Sequence, residues 1–306
     1  MKKRLTSLLA FVGFIGMASV AWFSKTTLVL PPKTTPYDKL WKQVDSCQNK
    51  GLTESALKVI EVIYQKAKSE SNGAQLLKAL LNQSKFQNYK EENSLQKTIE
   101  RFSQEAASNK LPVKQVVQSI LAEAYWNYYS ANRWQIQQRS KLEVKGNDLA
   151  TWDLSAITQA CLKNYLLSLS QADSLKQVKV DLYEPIIAGG TLDSRKLRPT
   201  LYDFLVHRAI NFFKNSEAGV TRPAETFSIN NPLYLDWHKT FLQTTLPQNT
   251  DSFNLNYFAL KFLKDAETFH QNDETPNALI DLELERLNWV HKSVTLADKD
   301  SLYLQA

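Results

Sequence analysis

The stretch LPVKQVVQSILAEAYWNYYSANRW, residues 111–134, decides the fold. Val113, Val116, Val117, Ile120, Leu121, Ala124, Tyr125 and Tyr128 recur at steps of three and four, the spacing that lines one face of an α-helix. Pro112 stands where a first-turn proline opens a helix, because the N–H it lacks is one the helix leaves unpaired anyway. Tyr125 and Tyr128 are therefore inner residues. Trp126 and Tyr129 lie on the flank of the stripe, beside Gln118 and Ala122, and Trp134 follows a break at Ser130–Asn132. Such a flank either packs against the next helical hairpin or lines a groove that takes a partner, with Arg133 beside the rings as a polar anchor. Trp126, Tyr129, Arg133 and Trp134 are the candidate partner-facing residues.

The same period extends outward in both directions. Leu40, Trp41 and Val44 form one stripe, and Ala56, Leu57, Ile60, Ile63, Tyr64 and Ala67 form a second, with Gly51 between them and Thr53 placed to cap the second helix. Further helices are predicted at 74–88, 92–108, 153–170, 199–214, 253–271 and 276–292. Trp41, Gly51 and Ala56 fall roughly where a tetratricopeptide-like unit places its bulky, turn and crossing residues. The predicted fold class is all-α, an irregular TPR-like α-solenoid of antiparallel hairpins. Residues 37–176 hold the hairpins and 177–306 continue the array, with looser pattern at 176–198 and 215–250. The final DKDSLYLQA starts a new amphipathic helix and stops after two turns, as if the array ran on.

With 306 residues and 43% hydrophobic content, the chain can bury a sizeable core. It has 8 glycines, where about 20 would be average, so phosphate-cradling loops are scarce. The formal charge of +6 owes half its size to Lys2, Lys3 and Arg4; the remaining charges alternate in sign, which argues against nucleic acid as a partner. After those three cations, Leu5–Phe23 contains no charged residue. This basic-then-apolar pattern predicts an export segment at residues 1–23, cleaved after Ala21 or retained as a membrane anchor. Residues 24–36 read as a proline-containing spacer. The expected location is the periplasm or cell envelope.

Catalytic patterns are sparse. Asp203 and His207 sit four apart on one predicted helix, where a carboxylate can orient an imidazole. No serine or cysteine nucleophile is placed beside them by sequence, so they read as a structural polar pair. His238, His270 and His291 form no HxxxH or HExxH pattern, and no GxGxxG, GxxxxGK[ST] or GxSxG motif occurs. Glu283 and Glu285 read as part of a charged helix face. Cys47 and Cys161 make no CxxC or zinc spacing; two separate buried thiols or one bridge in an oxidising compartment fit them. No cofactor, no metal and no enzymatic activity is expected.

Four phrases carry a resemblance: YDKLWKQVDSCQNKGLTESALKVIEVIYQKAK (37–68), AEAYWNYYSANRW (122–134), ATWDL (150–154) and RKLRPTLYDFLVHRA (195–209). They resemble the amino-terminal helical region of very large exported bacterial proteins of the alpha-2-macroglobulin family. The resemblance implies a scaffold within a protein that captures or inhibits proteases at the cell envelope, its partners being other domains of a longer chain, proteases or envelope proteins. The family's Cys-Gly-Glu-Gln thioester does not carry over: neither Cys47-Gln48-Asn49-Lys50 nor Cys161-Leu162-Lys163-Asn164 fits it. The alternative is a free-standing peptide- or glycan-binding helical repeat using an aromatic groove.

Overall fold

In the computed structural model, residues 36–88, 93–139, 148–187, 189–220, 227–247 and 253–306 are described. The expected export segment and all but the last residue of the spacer lie outside them. Among the described residues no helix is long and apolar enough to cross a membrane.

Helix α1 (Pro36–Asn49) is followed by α2 (Thr53–Ser69), and the break between them has a definite chemistry. Gly51 adopts φ 69°, its amide bonding the Gln48 carbonyl at 3.0 Å while the Leu52 amide bonds that of Cys47 at 2.9 Å. This is a Schellman ending, in which a residue in the left-handed region lets two orphan carbonyls find donors. The turn sets Leu52 at the N-cap of α2, so Thr53 is already helical and does not cap it. Helix α2 ends the same way, with Ser71 at φ 53° in the position glycine usually takes.

There follow α3 (Gly73–Asn88), α4 (Ser94–Ser108), α5 (Val113–Ala131), α6 (Arg133–Gln137), α7 (Leu154–Ser168), α8 (Ala172–Lys176) and α9 (Leu201–Phe213). The last four are α10 (His238–Gln243), α11 (Leu255–His270), α12 (Asn277–Ser293) and α13 (Lys299–Gln305). Short 3-10 turns, including Val180–Ile186 and Pro232–Leu235, occupy the looser regions. Every regular element among the described residues is helical, apart from one isolated bridge between Lys179 and Thr200. The long helices begin and end close to their predicted limits, where the apolar periodicity ends, and at α7 and α9 a side-chain cap stands at the start. Asp153 caps α7 by accepting the Ala156 amide at 2.7 Å, and Thr200 with Asp203 forms a reciprocal capping box on α9.

Packing is mostly between neighbours along the chain: α1 with α2, α2 with α3, α4 with α5, α5 with α7, α9 with α11, and α11 with α12. Small side chains allow the close α5–α7 approach, where the Cys161 thiol lies 3.3 Å from the Ala122 carbonyl. Cys47 and Cys161 are both free thiols. A contact that skips neighbours comes from the 3-10 segment 180–186, which folds back onto α3. Gly73 serves this crowded corner, since a Cβ there would stand 2.5 Å from the Val113 side chain. Pro36–Ala306 is one compact unit. One core runs from Tyr37 to Leu282, and a second, smaller one joins Tyr234, Leu235 and Phe241 to Leu287 and Val290 of α12.

Candidate functional site

The aromatic flank of α5 is built into the interior. Tyr129 is fully buried, its ring 4.8 Å from that of Trp126, which in turn meets Phe212 of α9 edge-on at 5.4 Å. Tyr165 of α7 closes on the same Phe212 at 5.2 Å. The Tyr129 hydroxyl donates to Glu217 at 2.6 Å, and Arg133 donates to the other oxygen of that carboxylate at 2.7 Å. Trp134, at 80% exposure, faces outward, as does the half-exposed Arg133. The four candidate partner-facing residues thus do not form one surface. Tyr129 is excluded by burial, Trp126 is half-buried in a ring cluster, and Arg133 holds a loop carboxylate. The physical reason is that α9 stacks over the flank of α5 and needs rings to fill the crossing.

Asp203 and His207 also part company. One Asp203 oxygen accepts from the Thr200 amide and hydroxyl, both at 2.8 Å, and the other faces His270 of α11 at 2.8 Å. His207 instead lies 2.8 Å from Glu285 of α12. Lys214 reaches the second Glu285 oxygen at 2.5 Å. Burial opposes ionisation of Glu285, but the hydrogen bonds and charges of His207 and Lys214 outweigh it and bring its pKa down to about 2. Positions i and i+4 thus engage two different helices. Among the described residues no serine or cysteine side chain hydrogen-bonds to either imidazole.

A polar centre with no signal in the sequence pattern lies under the 230s loop. Arg286 and Glu267 are both fully buried and meet at 2.8 Å. The same guanidinium donates to the carbonyls of Tyr234 and Asp236 at 2.7 and 2.9 Å and lies 4.1 Å from the centre of the Phe241 ring. Burial pushes the Glu267 carboxyl up to about 7 against the pull of Arg286. Enclosed as it is, this cluster pins a loop and offers no access to a substrate.

Open space appears elsewhere. The rings of Tyr125 and Trp152 stack at 5.6 Å with 10° between their planes, and each lines two adjoining depressions of about 690 and 450 Å³. The larger lies along α7, with Ala156, Gln159, Lys163 and Leu167 on its walls. The smaller lies along α4, with Gln96, Glu100, Ser103 and Gln104. Tyr125 is half-buried, its ring standing between the two depressions with Trp152 stacked on it. Helical spacing alone assigns it to the interior, and only the later Trp152 shows that its ring becomes a wall. No protein family, curated protein or solved structure matches the chain.

Proposed function

We propose that the chain is a non-enzymatic, TPR-like helical scaffold that holds an extended protein segment across the Tyr125–Trp152 groove. The observation that carries this reading is the pair of adjoining depressions, one along α4 and one along α7, that share one aromatic wall. An extended peptide matches that shape, since aromatic faces take its side chains and the glutamines on both walls suit its amides. Charge supports a direction: Lys163 stands on the α7 side and Glu100 on the α4 side. The favoured ligand therefore carries an acidic residue over α7 and a basic one over α4. The resemblance of the quoted phrases to the alpha-2-macroglobulin family supports a setting at the envelope, within a larger exported protein. In that setting the segment belongs to another domain, a protease or an envelope protein.

Selection from a random peptide library on the folded protein tests the reading. Lys163→Glu and Glu100→Lys change exposed residues and are expected to leave melting unchanged while reversing the selected charge pattern. Absence of any enriched sequence, or enrichment indifferent to both reversals, defeats the peptide reading. Binding of neutral oligosaccharides, lost on Trp152→Ala, would instead establish a glycan groove.

A further inference from the structure

His270 closes α11 and is 2% exposed, yet both of its ring nitrogens meet carboxylates. Its Nε2 lies 2.8 Å from Asp203 at the start of α9, and its Nδ1 lies 2.6 Å from Asp273 in the turn leading to α12. A neutral imidazole has one N–H, so it satisfies only one of these acceptors; the imidazolium has two and satisfies both. We propose that His270 is a charge-dependent latch, which as an imidazolium ties the α11–α12 turn to the N-terminus of α9 and on losing its proton releases the turn.

The arm that lets go is set by solvent access. Asp203 is 1% exposed and also holds the α9 cap, so leaving its oxygen unpaired is costly. The Asp273 side chain is 38% exposed and exchanges its imidazole partner for water. Other charged groups around the histidine have their own engagements. Lys176 of α8 lies over the rings of Phe269 and Tyr202 at 4.9 and 5.1 Å. Glu267, one turn earlier on α11, is held by Arg286 of α12. Asp281 and Glu285 of α12 face His207 instead. Burial opposes charging of His270, but its bonds to Asp203 and Asp273 and their charges outweigh it, so the net shift is upward from 6.5. The raised value means that the stabilisation is complete below 6.5 and is lost as pH rises through the folded-state midpoint. The latch therefore holds below the raised midpoint and opens above it.

Titration of the ring nitrogens by NMR in the intact chain tests the proposal. The expected result is a His270 midpoint above 6.5, with backbone amide signals of residues 271–275 moving at the same midpoint and their hydrogen-exchange protection lost as the ring deprotonates. Asp273→Asn changes a half-exposed side chain, so folding is retained. It is expected to lower the midpoint and to uncouple the turn from it. A ring that titrates at or below 6.5, or a turn indifferent to the ring's charge, overturns the proposal.

Discussion

Arg286 is the largest fully buried side chain described, and by residue type it reads as surface. Arginine is almost never enclosed unless paired, and pattern analysis cannot see that Glu267, nineteen positions earlier, is its partner. Removing one member of such a pair strands a buried charge and costs about 3–5 kcal/mol, whereas replacing both with apolar residues can be neutral. Arg286→Met and Glu267→Leu are each expected to lower unfolding free energy by about that amount, and the double variant is expected to recover most of it in urea titrations. Glu283 and Glu285 show the same limit. Spacing places them on a charged outer face, yet both are largely buried, Glu283 against His238 and Glu285 against His207 and Lys214. Ser71 offers the opposite case, a single residue whose local chemistry is suboptimal. Because its left-handed backbone strains any residue with a Cβ, Ser71→Gly is expected to stabilise the protein by about 0.5–1 kcal/mol, read as a higher urea midpoint.

The legibility of whole helices is much better than that of single polar residues, and α5 shows why. Its valines, isoleucine, leucine and alanines repeat with the helical period, so its existence and inner face follow from local pattern. What occupies its flank depends on Phe212, more than eighty residues later, which no spacing within α5 encodes. The two readings of that flank make different predictions for its tryptophans. Trp126→Ala removes a ring from the α5–α9 crossing and is expected to cost about 2–3 kcal/mol. Trp134→Ala acts on an exposed ring and is expected to change stability by no more than about 0.5 kcal/mol. Equal effects in thermal melts would show that Trp126 is not the packing residue described. The groove was not legible for the same reason: the α5 stripe assigns Tyr125 to the interior, and its stack with Trp152 crosses a separate segment.

For the molecule as a whole, the all-helical class was legible because few glycines and sustained helical periodicity agree. The looser stretches at 176–198 and 215–250 were visible as interruptions, but not as segments that dock back onto α3 and α12. Global stability carries the mark of the α9–α12 contact. Glu285, with its folded-state value about 2 against an ordinary 4.5, contributes stability that is present above 4.5 and lost as pH falls through 2. Stability is therefore expected to fall by an amount on the order of 2 kcal/mol across that window from this group alone. Glu285→Gln is expected to flatten that part of the pH profile in chemical denaturation, and an unchanged slope would remove Glu285 from the account.

The 3-10 segment 180–186, seated on α3, has a mechanical consequence. A row of helices joined only to immediate neighbours peels apart one hairpin at a time when drawn from its ends. Here a tether from beyond α7 loops back and clasps a member near the beginning, so tension is shared by the whole enclosed block. Under an optical trap that block should yield in a single large extension, with the flanking helices giving way in smaller steps.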